Sequence, residues 1–310
     1  MLPRVETDAD RSAVIPDERI MRPGATALLR ELGLKDPPLT RFSTGSQPVY
    51  AVGDDLVLKL FPAASAQDAA SETRALMHLH GRLPVPTPRV HAHGEYPDGW
   101  HYVLMSRLPG ASLETEWPGL TPAARDRAAT ETGELLAALH AVDPRPLADV
   151  LGPGDWTAFT AKQRAGAVAR QRGKGLSEPW LEQLPGFLAG VELPPPAEPS
   201  LLHTELMSQH LMTAGGAGRL TGVFDFEPAM IGAPAYDFAA VGVFVTRGDA
   251  RLMGRVQAAY GRCVDPREIM AYTLLHVYSD LPWYLQELGA PAEPALDALA
   301  ASWFGTAGDL

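Results

Sequence analysis

The stretch Leu39-Thr40-Arg41-Phe42-Ser43-Thr44-Gly45-Ser46-Gln47-Pro48-Val49-Tyr50-Ala51-Val52-Gly53-Asp54-Asp55-Leu56-Val57-Leu58-Lys59-Leu60-Phe61 decides the fold. Residues 39–44, 49–52 and 56–61 are short β-prone runs, and the segments between them, rich in Gly, Ser, Pro and Asp, are turn signals. Three short strands joined by tight turns make an antiparallel meander. Lys59 stands inside the third run, in phase with Val57 and Phe61. A lysine among apolar neighbours needs a partner, because an unpaired buried charge is costly. An edge lysine that snorkels to water is the alternative.

Working outward, residues 66–80 read as a helix with Ala69, Ala70, Leu76 and Leu79 as its apolar positions. Pro84, Pro86 and Pro88 then break the chain, and two more strands follow at 90–94 and 102–107. Upstream, residues 23–33 read as a short helix stopped by Gly33, and residues 1–22 read as an arm without periodicity. Downstream of Pro109-Gly110 the texture turns helical. Thr121-Pro122 is an N-cap and first-turn pair opening a helix to about His140. Short strands recur at 201–203, 211–213 and 220–224, and the remainder from about Tyr236 is helical. The expectation is an α+β, bilobal chain. A small antiparallel-sheet lobe with one helix occupies residues 1–108, and a mainly helical lobe occupies 109–310. A ligand cleft between the two is expected.

The chain has 310 residues, a soft prior of roughly two domains. Its composition is 46% hydrophobic and 20% charged, ordinary globular usage that excludes disorder for most of its length. Twenty-six Lys+Arg against 37 Asp+Glu give a net charge of −11, which argues against nucleic acid and anionic membranes as partners. The single cysteine, Cys263, excludes an internal disulfide framework and a multi-cysteine metal site. The N-terminus lacks the apolar core of a signal peptide, and the longest apolar run, 238–245, is too short to span a bilayer. A cytoplasmic location is the expectation; the oligomeric state is open.

Several side chains have chemistry to offer. The small-residue turn Ser43-Thr44-Gly45-Ser46-Gln47 can bring backbone N–H groups to a phosphate, or be an ordinary hairpin. Glu72, on the helix after the lysine strand, can pair with Lys59 or point to solvent. A second cluster, His203-Thr204-Glu205-Leu206-Met207-Ser208-Gln209-His210, lies between two strand-like runs and is a loop. Asp225 follows an apolar strand, a good position for a metal ligand. Taken alone, His203, Glu205, His210 and Asp225 also suggest a mononuclear metal site of the kind a metallohydrolase uses.

The order of these parts resembles the aminoglycoside phosphotransferase family, within the wider protein-kinase-like fold. The resemblance covers about residues 39–245, roughly two-thirds of the chain. It implies a phosphotransferase with an alcohol acceptor, using ATP or GTP and Mg²⁺. By this resemblance Ser43, Gly45 and Ser46 belong to the nucleotide-phosphate loop. Lys59 holds the α/β-phosphates, and Glu72 is its helix partner. Met105, Ser106 and Leu108 lie in the inter-lobe hinge, where the Ser106 carbonyl and Leu108 amide meet the nucleobase. Asp225, in Gly222-Val223-Phe224-Asp225-Phe226, chelates the metal, and Asp237 caps the following helix or anchors the loop.

One motif departs from the family. Its catalytic loop reads His-Gly-Asp, four residues, then Asn; the same spacing here gives His203-Thr204-Glu205 and then His210. The resemblance makes Glu205 the residue that orients the acceptor hydroxyl and takes its proton, with His203 supporting the loop through a backbone hydrogen bond. His210 becomes a second-metal ligand or a phosphate donor. Imidazole suits Mn²⁺ better than Mg²⁺. A carboxylate at 205 keeps the base chemistry, although a misplacement of about 1 Å can cost about 100-fold in rate. The acceptor is expected on the helical lobe, near Asp155 and Trp156 or near Asp280, Trp283 and Tyr284, where aromatic rings can stack on a sugar or base. A hydroxylated small molecule, an antibiotic or related natural product, is the expected acceptor. A pseudo-kinase that binds nucleotide without transfer is the alternative.

Overall fold

A computed structural model describes residues 2–306. Within it the chain forms two compact units. The first comprises residues up to Gly81, Pro86–Pro109 and the short segment Phe224–Pro228; the second comprises Arg82–Val85, Gly110–Val223 and the chain from Ala229 onward.

The first unit begins with two helices, α1 (Asp8–Val14) and α2 (Glu18–Glu31). Residues 8–14 and 18–22 of the expected arm are therefore helical. The physical reason is capping rather than periodicity. Thr7 and Asp10 form a reciprocal capping box, and the Asp17 side chain accepts from the Arg19 amide to open α2 ahead of Pro23. Leu2, Val5, Ile15 and Met21 are buried with Leu28 and Leu29 in the core. The chain then runs through β1 (Leu39–Arg41), β2 (Val49–Val52), β3 (Leu56–Phe61), α3 (Ala66–Leu79), β4 (Val90–Tyr96) and β5 (Trp100–Ser106). The five strands form one antiparallel sheet in the order β1-β2-β3-β5-β4. Lys59 is paired with Val49 on one side and Val103 on the other, which places it mid-sheet rather than at an edge.

The second unit opens with β6 (Ala111–Ser112), α4 (Leu113–Glu116) and α5 (Pro122–His140), the last capped by Thr121 as its sequence suggests. Helices α6 (Trp156–Gly173), α7 (Glu178–Leu181) and α8 (Gln183–Ala189) follow. Next come the short strands β7 (Ser200–Leu202), β8 (Leu211–Thr213), β9 (Leu220–Val223) and β10 (Met230–Gly232). They form two small antiparallel sheets, β6-β8-β9 and β10-β7. Helix α9 (Asp237–Ala240) runs into a π-helical turn at Val241–Val245, and α10 (Ala250–Tyr260), α11 (Pro266–Leu275), α12 (Leu281–Leu288) and α13 (Leu296–Phe304) complete the unit. No helix among the described residues is long and apolar enough to cross a membrane.

Candidate active site

In the first unit the site is built around Lys59. Its strand neighbours are apolar, its exposure is 6%, and its ammonium is surrounded by carboxylates. Glu72 Oε2 lies at 2.6 Å, Asp225 Oδ1 at 2.6 Å and Glu227 Oε2 at 2.9 Å. Glu72 comes from α3, and the other two from the segment after β9 that packs with this unit. Asp225 has φ +74°, a left-handed conformation that Asp tolerates better than most residues. Three carboxylates facing one ammonium leave a net negative charge that a second cation can balance. Burial is the main force on the Glu72 carboxyl and holds it up, to about 7, against the pull of Lys59. Burial also works against the Lys59 charge, but Asp225, Glu72 and Glu227 together raise its pKa well above the ordinary lysine value. Glu227 was missed in the sequence; its signal was the i, i+2 relation to Asp225.

The turn 43–47 borders this cluster. Ser46 Oγ donates to Glu227 Oε1 at 3.0 Å. Ser43, Gly45 and Ser46 are exposed, and Gly45 takes φ +108°, which glycine alone adopts easily. At the end of β5, Met105 is buried. The Ser106 amide donates to the Arg89 carbonyl, its hydroxyl accepts from the Arg89 amide, and the Arg107 amide donates to the Asp55 carbonyl. These bonds fix the path of the chain into Leu108.

In the second unit the loop 203–210 is held from its backbone. Asp237, fully buried, accepts from the His203 amide at 3.0 Å and the Thr204 amide at 2.6 Å. It also contacts His140 Nε2 at 3.0 Å, and His140 Nδ1 reaches the Tyr260 hydroxyl. Asp237 thus anchors the loop. On the far side of Thr204, the Tyr278 amide donates to His276 Nδ1, so the proton of this ring sits on Nε2 and is donated to the Thr204 carbonyl at 3.2 Å. This arrangement requires neutral His276, and burial pushes its pKa down to about 4. Thr204 itself has φ +67°. A β-branched residue there costs about 1–2 kcal/mol, which explains why a glycine suits the position and why clamps flank it.

Glu205 follows the clamp. His210 Nδ1 donates to the Glu205 carbonyl at 2.7 Å, which in the neutral ring puts the lone pair on Nε2. His203 is fully buried and stacks against His210 at 5.9 Å. Glu205 faces a pocket of about 260 Å³ lined also by Met207, Phe244, His276, Tyr278, Asp280, Trp283 and Tyr284. Phe244, delivered by the π-helical turn, stacks on Trp283 at 5.6 Å, and Trp283 remains 41% exposed. Tyr284 is buried, and that burial raises its hydroxyl to about 12. Asp280 caps α12 through the Trp283 amide and pairs with Lys174 at 3.2 Å. The structure therefore gathers Glu205, Asp280, Trp283 and Tyr284. It corrects the expectation for the other acceptor candidates. Trp156 is 7% exposed, packed among Phe159, Tyr236 and Tyr272 and over Gly232, and Asp155 accepts from the Ala158 amide as the α6 N-cap. Both serve the core and its helix instead of the pocket. Phe244 and His276 were not read as site residues, since nothing local to either marks it.

The model of the phosphotransferase enzyme family (APH) matches residues 38–272 of the chain. The chain belongs to this family. Among curated proteins, viomycin phosphotransferase from Streptomyces vinaceus is 28% identical over 197 residues, which cover 62% of this phosphotransferase-family chain and 66% of the relative. The matched region thus spans just under two-thirds of that relative's length. Among solved structures, the GDP complex of a mutant aminoglycoside 2'-phosphotransferase-IIIa aligns with a TM-score of 0.67 at 19% identity, over 92% of this chain and 93% of the other. The macrolide 2'-phosphotransferase of Brachybacterium faecium, an apoenzyme, aligns with a TM-score of 0.62 at 23% identity, over 90% and 97%. These likenesses establish the α+β, kinase-like fold of the antibiotic phosphotransferases for this family member.

Proposed function

We propose that the chain is a small-molecule O-phosphotransferase that moves the γ-phosphoryl group of ATP or GTP to a hydroxyl of an antibiotic or related natural product. The observation that carries the reading is the buried ammonium of Lys59 held among Glu72, Asp225 and Glu227. A polyanion can take the ammonium, and the displaced carboxylates can take a cation. The donor set fits Mg²⁺: oxygen atoms of Glu72, Asp225 and Glu227 lie within 4.8 Å of one another and are hard ligands. Asp225 and Glu227, the more exposed of the three, would hold the ion, which when bound supplies neutralisation of phosphate charge.

In this reading Lys59 draws the α/β-phosphates, Glu72 keeps Lys59 in place, and the 43–47 turn covers the phosphates. Met105, Ser106 and Leu108 meet the nucleobase. Glu205 accepts the hydrogen bond of the acceptor hydroxyl and receives its proton as the new P–O bond forms and the bond to the departing diphosphate breaks. The buried loop bonds hold Glu205 at the pocket wall. His210 serves as a metal ligand through the Nε2 lone pair of its neutral ring or, as the imidazolium, as a phosphate donor through Nε2. Phe244, Trp283 and Tyr284 offer ring faces to the acceptor, and Glu205 and Asp280 tolerate a positive charge on it. The relative's name makes viomycin the first acceptor to try, followed by aminoglycosides and macrolides.

The test has two stages. Calorimetry with MgATP and MgGTP should show binding by the parent and loss of it in Asp225→Asn. With an acceptor identified by nucleoside diphosphate release, Glu205→Gln should lower turnover by at least about 100-fold while nucleotide binding persists. Equal turnover in Glu205→Gln removes the base role. Nucleotide binding with no diphosphate release on any acceptor favours a pseudo-kinase.

A further inference from the structure

We propose that Arg11, on helix α1, is a positioning residue for the 43–47 turn and sets the affinity for nucleotide. The inference rests on the nucleotide-binding reading above and adds to it a residue outside the family-matched region, which begins at residue 38. Arg11 Nη2 donates to the Ser46 carbonyl at 2.7 Å and to Gln47 Oε1 at 3.2 Å, and Nη1 donates to Ser65 Oγ at 3.4 Å. Gln47 Nε2 in turn donates to Ser65 Oγ at 3.1 Å. Gln47 and Ser65 are buried, so the network is rooted inside the unit, with the Arg11–Ser46 bond at its exposed rim.

Three elements meet in that network. Arg11 is fixed by the capped helix α1, Gln47 ends the turn, and Ser65 is the N-cap residue of α3, the helix that carries Glu72. The planar guanidinium fork matches several acceptors at once, which an ammonium cannot do. Its bond to the Ser46 carbonyl also has a directional consequence. In a trans peptide the C=O and the following N–H point opposite ways. Arg11 therefore aims the Gln47 amide to the side away from itself. Ser46 Oγ is held separately by Glu227, which also pairs with Lys59. Arg11 and Glu227 thus set the orientation of the Ser46–Gln47 peptide that the phosphates would meet. Without Arg11 the buried Gln47 carboxamide loses a donor, and the turn must order itself on binding.

The experiment is calorimetry of MgATP and MgGTP on the parent, Arg11→Ala and Arg11→Lys, with thermal unfolding and hydrogen exchange on each. Arg11→Ala is expected to weaken nucleotide binding about tenfold, the loss of roughly one charge-assisted hydrogen bond. Exchange across 43–47 should quicken while 49–52 stays protected. Arg11→Lys keeps the charge but lacks the fork, and should recover only part of the affinity. Full recovery by lysine would show that charge alone matters and would overturn the positioning role. A parent that binds while Arg11→Ala binds equally well overturns the inference alone. A parent that binds neither nucleotide overturns the functional reading and this inference with it. Arg11→Lys also serves if Arg11→Ala proves unstable.

Discussion

At the scale of single residues, His276 is the group whose protonation the structure opposes most clearly. Its Nδ1 accepts from the Tyr278 amide, so a proton added there would meet an N–H donor. Burial lowers its pKa from 6.5 to about 4. The unfolded chain takes up this proton below pH 6.5, whereas the folded chain refuses it until about pH 4. The stabilisation from neutral His276 is therefore complete above pH 6.5 and is lost as the pH falls toward 4, by about 3 kcal/mol in all. Denaturant unfolding of the parent and His276→Gln across this range measures it. The parent should lose about 3 kcal/mol more than the variant; parallel curves would contradict a neutral, clamping His276. The other polar cluster responds differently to loss of a group. Asp225→Asn removes one of three carboxylates that crowd Lys59, so nucleotide-free stability should fall little while nucleotide binding disappears.

Between elements, α5 meets α10 in close contact at Gly133. A Cβ there would overlap the Val256 carbonyl oxygen and crowd the Ala259 methyl. Alanine is favoured over glycine by about 1 kcal/mol in a helix interior, but a backbone carbonyl inside α10 cannot swing aside. Overpacking of about 1–3 kcal/mol wins, and Gly133→Ala should lower stability by roughly 1 kcal/mol or more in denaturant unfolding. An unchanged midpoint would mean that the helices separate freely. The elements also differ in how well the chain advertises them. Strands β2 and β3 match the expected ranges because β-branched and apolar runs end at Gly, Asp or Pro there. Helix α1 escaped notice because only seven residues form it and a capping box holds it. Lys59, Glu72 and Asp225 were legible because each sits in a local pattern. Arg11 was not, since it reaches a backbone carbonyl 35 residues away. Trp156 misled because an aromatic beside an acidic turn reads alike whether it faces ligand or core.

For the whole molecule, chain order and packing order differ at one decisive place. After β9 the chain contributes Phe224–Pro228 to the first unit and then returns to the second at Ala229. That excursion brings Asp225 to Lys59 across 166 positions of sequence. Nucleotide binding should therefore stabilise segments that are distant along the chain but belong to one unit. A ligand at 100 times its dissociation constant adds about 2.7 kcal/mol to the state that binds it. With MgATP or MgGTP at that level, hydrogen exchange should slow together across 43–47, 56–61, 66–79 and 224–228. The amides of 224–228 are the telling ones, because their flanking strands β9 and β10 belong to the other unit. An acceptor alone should instead slow 203–210, 241–245 and 276–284, which hold the loop and the aromatic pocket. Asp225→Asn should abolish the first pattern and spare the second. Nucleotide protection confined to 203–210 and 276–284, with 56–61 and 224–228 unchanged, would show that the Lys59 cluster is a structural ion-pair network and that the nucleotide binds elsewhere.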